Sequence, residues 1–209
     1  GLPEAKIPVI TNGIDLSRCG EKSDYALHYP VELLHVGRFF PQKNHEVLVQ
    51  AAAILKKRGC NVRIRCCGDG PLLESIQKQV LEAGLSGQIV FEGVCGDILD
   101  RMTQTDIFLL PSKWEGMPMT IIEAMGTGLP VVASRVGGVP DIITDGESGL
   151  LIPPTAEALA QAIERLVKDE ALREHLGTQA RQEARRFSIE AMAQGYEALY
   201  AHLTEGAAL

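Results

Sequence analysis

The 209-residue chain predicts an α/β fold: a Rossmann-like, doubly wound parallel sheet with helices on both faces. Three observations carry this. From residue 31 short apolar runs alternate with amphipathic segments, the order expected of strands joined through helical crossovers. Arg38, Gly68, Gly93, Glu115 and Gly137 each follow one of those runs, so a single cleft beyond the carboxyl ends of the strands can collect them. The length, with 45% hydrophobic residues, suits one good core.

Residues 1–30 read as a linker: an apolar stretch at Ile7 to Ile10, a turn at Asn12-Gly13, then polar sequence through Ser23-Asp24. Starting at Gly1, the chain suggests a piece of something longer. The strand Val31 to Val36 then leads to a helix over Asn44 to Arg58. Val62 to Cys67 precedes Leu72 to Ala83, and Ile89 to Phe91 precedes Ile98 to Met102. Ile107 to Leu110 feeds a helix expected to open at Pro118, since the first turn tolerates proline. Val131 to Ala133, a helical turn near Pro140 to Ile143, and Gly149 to Ile152 with its helix Ala156 to Val167 follow. After Pro153-Pro154 the pattern is helical, through Leu172 to Arg186 and Ile189 to Leu203. On the last helix Met192, Tyr196, Leu199, Tyr200 and Leu203 make an apolar, aromatic face, most simply read as core.

A net charge of -7 disfavours nucleic acid as a partner, because phosphate binding wants a basic face. No apolar run approaches the roughly 20 residues that cross a bilayer, and no signal segment opens the chain. The five cysteines are odd in number and lack metal-ligand spacing, which fits a reduced, cytoplasmic location. Cys66 and Cys67 are strand neighbours and should face opposite sides of the sheet as small core residues.

The chemistry concentrates at Trp114 to Met125. Glu115 lies just before a helix N-terminus, and Glu123 sits on its second turn amid apolar residues. Between them the free N-H groups of Met117, Met119 and Thr120 make an anion site, so an anionic ligand bearing hydroxyls suits the geometry. The plainer alternative is that one acid complements the helix dipole and the other is a solvated position. Arg38 and Lys43 precede another helix start at Asn44, where the dipole favours anions rather than cations; a bound anion accounts for them better than helix stabilisation, though solvated loop charges remain the alternative.

Gly68-Asp69-Gly70-Pro71 is a glycine turn, but Leu73 stands where a dinucleotide fingerprint needs its third glycine, which counts against a nicotinamide dehydrogenase. Gly93 to Asp97 reads equally as an ordinary loop with Asp97 as helix cap. The histidines are scattered, and His35 on a strand reads as a satisfied interior residue. Ser112 lacks a nucleophile-elbow pattern. With no Asp-x-Asp and no histidine cluster, no metal is expected.

Glu115 and Glu123, separated by seven residues and followed by Ala124 to Ala133, resemble the E-x(7)-E signature of the family 4 retaining glycosyltransferases. The resemblance also covers Asn12 to Asp15, Val36-Gly37-Arg38 with Lys43-Asn44, Gly68 to Pro71, Phe91 to Gly93, Gly137-Gly138 and Asp145 to Leu150, nearly the whole chain in order. It implies one half of a GT-B enzyme, the half that binds a nucleotide diphosphate sugar, with no further cofactor. In that half Glu115 contacts the transferred sugar, while Arg38 and Lys43 take the leaving diphosphate together with the N-terminus formed by Gly116, Met117, Met119 and Thr120. Glu123 holds the ribose, and the loop carrying Gly93, Cys95 and Asp97 reads the base. Asp141 stands where the family commonly has Glu, which puts a carboxylate contact there in doubt. The resemblance further implies that residues 1–30 lead in from an absent N-terminal domain that holds the acceptor, that 31–186 bind the donor, and that the helix in 187–209 packs on the absent domain. Any peripheral attachment to the inner face of a membrane belongs to that domain too. A non-catalytic nucleotide-sugar-binding module and a related phosphorylase or epimerase are the alternatives.

Overall fold

The computed structural model describes residues 8–206. Six strands, β1 (Val31–Val36), β2 (Val62–Cys67), β3 (Ile89–Gly93), β4 (Ile107–Leu110), β5 (Val131–Ser134) and β6 (Leu150–Ile152), form one sheet in the order β3-β2-β1-β4-β5-β6. Every neighbouring pair is parallel. Helices α1 (His45–Lys57), α2 (Leu73–Glu82), α3 (Ile98–Thr103), α4 (Met119–Thr127), α5 (Ala156–Lys168), α6 (Glu170–Ala184) and α7 (Ile189–Gly206) complete the chain. The expected fold class is the one found.

Because strand side chains alternate, the sheet divides its apolar residues between two cores. Leu33, Ile64, Ile107 and Val132 pack with α1, α2 and α5 on one face. Leu34, Cys67, Phe108 and Val131 pack with α3 and α4 on the other, closed by Ala180, Ala184 and Phe187. Cys66 joins the first core and Cys67 the second, as their alternation requires.

The segment before β1, expected as a linker, is held against the domain where it is described. Ile14 N-H donates to Phe187 O, Ile189 N-H donates back to Ile14 O, and Lys22 N-H donates to Thr127 O. The buried Arg173 guanidinium donates to Tyr25 O from two nitrogens, at 2.9 and 2.7 Å. Of the apolar stretch that opens this segment, Ile7 lies outside the described residues.

The aromatic face of α7 is not core: Tyr200 is 62% and Leu203 58% exposed. Among the described residues no helix is long and apolar enough to cross a membrane. One expected boundary shifts. Pro118 does not open α4 but caps it, in an extended conformation (φ -73°, ψ 104°), and the helix starts at Met119. Glu123 still falls on the second turn.

Candidate functional site

The order of the sheet reverses between β1 and β4, so their crossovers leave in opposite directions and a crevice opens at their carboxyl ends. The loop after β1 and the loop after β4 meet there. Pro41–Lys43 form one short 3-10 turn, ended by Asn44 in the left-handed region (φ 56°, ψ 43°), a conformation that asparagine tolerates better than most residues. The Asn44 side chain donates from Nδ2 to Pro111 O at 3.0 Å, tying one loop to the other.

This tie sets Lys43 across the crevice from Glu115. Lys43 Nζ lies 2.6 Å from Glu115 Oε1. Ser112 Oγ donates to the same oxygen at 2.6 Å. Gln42 Nε2 reaches Glu115 Oε2 at 3.2 Å and Trp114 O at 3.0 Å. Glu115 is only 8% exposed, so its carboxylate is held by protein donors rather than by water. Behind Lys43 lie two buried imidazoles. His35 donates from Nδ1 to Leu109 O at 2.9 Å, and burial lowers its pKa to about 4. His45 stacks on Phe39, and burial, helped by His35 and Lys43, takes it down to about 2. Both stay neutral at pH 7 and put no second cation beside Lys43. His35 Nε2 and both nitrogens of His45 lack a partner among the described residues, so His35 is only half satisfied.

A glycine pair clamps the other side. Gly137 has φ 51°, and a Cβ on it would stand 1.9 Å from Glu115 O; one on Gly138 would stand 2.1 Å from Gly116 O. Gly138 N-H donates to Glu115 O. Only residues without a side chain let the loop after β5 lie against Glu115-Gly116.

Beyond Gly116, α4 begins. Ile121 N-H donates to Pro118 O, while the N-H groups of Met117, Met119 and Thr120 find no acceptor among the described residues. Thr120 Oγ1 is buried and also lacks a partner there. Glu123 faces a cavity of about 700 Å³ lined by Arg18, Asp97, Thr120 and Leu99. Burial raises its pKa, and Arg18 opposes that rise. An adjoining hollow of about 360 Å³ shares Val36 and Ile98 with this cavity and is lined by Arg38, Gly68, Val94 and Cys95. The Arg38 guanidinium lies over the Phe40 ring, 4.7 Å from its centroid. Gly93 (φ 66°) positions the loop by accepting from Gly68 N-H at 2.7 Å.

The residues singled out in the sequence thus gather at one end of the sheet in two groups. Lys43, Glu115 and Gly116 form the first; Arg38, Cys95, Asp97, Thr120 and Glu123 line the second. Two expectations change. Lys43 pairs with Glu115, a partner the sequence reading did not give it. Asp97 sits at the cap position of α3 but makes no capping bond; it accepts instead from Arg101 Nε at 2.9 Å.

Gln42, Ser112 and Arg18 escaped the sequence reading as site residues. Ser112, three residues before Glu115, is a local turn partner that could have been seen; Arg18 carries no such signal, since only the docked segment brings it to Glu123. Spacing also hid Cys67, Glu92 and Cys95, whose possible ligand atoms all lie within 4.8 Å of one another. A separate hollow of about 560 Å³ between residues 16–25 and α6 is lined by none of the residues of these two groups.

The family model described as "Glycosyl transferases group 1" matches residues 26–183. The amylovoran biosynthesis glycosyltransferase AmsK of Erwinia amylovora is 34% identical over 180 residues, covering 82% of this chain and 44% of its own length. Sucrose-phosphate synthase from Thermosynechococcus elongatus superposes with a TM-score of 0.84 at 29% identity, over 94% of this chain and 52% of that one. HepE of Anabaena, solved in complex with UDP, superposes with a TM-score of 0.84 at 25% identity, over 93% of this chain and 57% of that one. The chain therefore spans about half the length of these relatives.

Proposed function

The chain belongs to the group 1 glycosyl transferases, and on that ground we propose that it is the donor-binding half of a retaining GT-B enzyme that moves a sugar from a nucleotide diphosphate sugar to an acceptor. The observation that carries this reading is the α4 N-terminus, with three N-H groups and the Thr120 hydroxyl unengaged among the described residues, set between the Lys43-Glu115 pair and the cavity of Glu123. A diphosphate there meets the N-H groups and positive end of α4, with Arg38 and Lys43 as cations. Glu115 has two oxygens already oriented by Lys43, Ser112 and Gln42, and takes hydroxyls of the transferred sugar. Glu123, poorly solvated and short of donors among the described residues, takes the ribose hydroxyls. The loop of Gly93, Cys95 and Asp97 takes the base.

The cations neutralise charge that develops on the leaving diphosphate, a task that needs no metal in this reading. The C1-O bond to phosphate breaks while the acceptor oxygen bonds C1 from the same face, and the acceptor proton passes to the departing phosphate oxygen. Among the described residues no second carboxylate stands ready as a nucleophile, so a front-face route fits better than a covalent intermediate. In this reading residues 31–186 hold the donor, and the acceptor is bound by a domain outside this chain, against which the exposed face of α7 packs.

Calorimetric titration of UDP-, GDP- and ADP-sugars, with and without EDTA, tests the proposal. One nucleotide series should bind, unaffected by the chelator, with little or no transfer by this chain alone. Absence of binding in all three overturns the donor role, and robust transfer overturns the half-molecule reading.

A further inference from the structure

Cys67 ends β2 with 1% of its surface exposed, and Cys95 lies in the loop after β3, half buried in the wall of the hollow that also holds Arg38. Their Sγ atoms are 2.8 Å apart. The contact follows from the strand register: the β2-β3 pairing shifts between Cys66 and Cys67, which brings Cys67 opposite Gly93 and carries the loop back over its thiol. The other three cysteines are out of reach. Cys66 is buried in the opposite core, Cys60 packs with that same core, and Cys19 lies against Gly126 of α4.

We propose that Cys67 and Cys95 form a modification site, a dithiol that a peroxide converts to a disulfide, fixing the loop of residues 93–97 to the end of β2. Cys95, the accessible thiol, attacks one peroxide oxygen; the S-O bond forms as the O-O bond breaks, and the Cys95 proton ends on the departing oxygen, giving a Cys95 sulfenic acid and the corresponding alcohol or water. The buried Cys67 thiol then attacks the sulfenic sulfur. The S-S bond forms, the S-O bond breaks, and the Cys67 proton leaves with the hydroxyl as water. Both sulfurs are oxidised and the peroxide is reduced by the same two electrons. Burial and the neighbouring Cys95 hold the Cys67 thiol well above its ordinary range, which suits a resolving rather than an attacking role.

A metal is the competing occupant, because Glu92 Oε2 lies 3.5 Å from Cys67 Sγ and 3.9 Å from Cys95 Sγ. Its carboxylate is already spent. Arg65 Nε holds Oε1 at 2.6 Å, and Arg101 pairs with Oε2, so a cation would have to displace one guanidinium and sit beside the other. A neutral disulfide asks for neither.

The consequence for ligand rests on the donor-site reading above. In that loop Val94 is 81% exposed beside the hollow. Frozen in its ligand-free position, the loop loses the adjustment that nucleotide binding needs, and affinity falls.

The test treats the reduced chain with a small excess of hydrogen peroxide. Expected are a mass loss of two hydrogens, a fall in titratable thiols from five to three, and a Cys67 to Cys95 peptide. Dithiothreitol should reverse all of it, Cys95→Ser should abolish it, and Cys19→Ser should leave it intact. Nucleotide affinity should drop at least about fivefold in the disulfide form. A different pairing, over-oxidation of Cys95 alone, or one equivalent of zinc bound by the reduced chain with protection against peroxide would overturn the site. A mapped disulfide with unchanged affinity overturns its effect on the ligand. No binding by the reduced chain overturns instead the donor-site reading and leaves the disulfide standing.

Discussion

Lys43 and Glu115, on loops that follow different strands, form an ion pair at 2.6 Å with side-chain exposures of 17% and 6%. A pair so far removed from water is easily harmed by losing one member, because the survivor keeps its desolvation without its partner. Lys43→Ala should therefore cost about 2 to 4 kcal/mol of folding stability, and Lys43→Met with Glu115→Gln together should cost less than the two singles summed. Urea denaturation of the parent, Lys43→Met, Glu115→Gln and the double variant measures the coupling. Additive losses would mean that the pair is only a surface contact.

The same substitution should weaken nucleotide diphosphate binding. Arg38→Ala, at a guanidinium that stacks on Phe40 near the surface, should weaken it too, by about 1.5 to 3 kcal/mol, with far less effect on stability. Calorimetry showing parental affinity in Arg38→Ala removes Arg38 from the site.

Glu123 behaves in the opposite sense. Burial raises its pKa above the ordinary carboxylate value of 4.5, so the folded state favours the protonated form more than the unfolded chain does. The stability this preference confers is complete below pH 4.5 and is lost as pH rises through the folded pKa. Glu123→Gln, which mimics the protonated form, should melt above the parent at pH 7 and converge with it below pH 4.5. It should also weaken both free nucleotide and nucleotide sugar, whereas Glu115→Gln should weaken only the nucleotide sugar. Melting curves at several pH values and two titrations separate these outcomes; a Glu123→Gln that melts lower at pH 7 would show that the carboxylate serves the helix.

Acid should act through the histidines. His35 and His45 titrate near 6.5 when unfolded and at about 4 and about 2 when folded, so between pH 6.5 and 4 the unfolded chain binds more protons. Stability should fall as pH drops through that window, by up to about 1.4 kcal/mol per pH unit for each group. His45→Phe keeps the stack on Phe39 and removes two unpartnered nitrogens, so it should reduce the slope by about half. Urea midpoints from pH 7 to pH 4 give the slopes.

Gly137→Ala tests the clamp. Its Cβ would enter Glu115 O, and its φ is left-handed, so the loop must move or the fold must weaken. A loss of at least about 2 kcal/mol is expected, together with loss of nucleotide-sugar binding at temperatures where the chain is still folded. Parental binding would show that the clamp does not set Glu115.

The fold was written locally. Each short apolar run could only be a buried strand once amphipathic segments flanked it, and with parallel strands the carboxyl-end loops had to share one side of the sheet. That is why Arg38, Glu115 and Gly137 could be placed together from their positions after strands, and why Cys66 and Cys67 could be assigned to opposite faces. Partners across the chain were a different matter. That Lys43 meets Glu115 depends on a left-handed Asn44 bonded to Pro111; that Arg18 reaches Glu123 depends on how residues 8–30 dock; that Cys67 meets Cys95 depends on a register shift between two strands. Periodicity and turn chemistry report what a residue does to its near neighbours in sequence. Register, docking and loop-to-loop bonds are set by contacts between segments far apart in the chain, and only the folded structure brings those segments together.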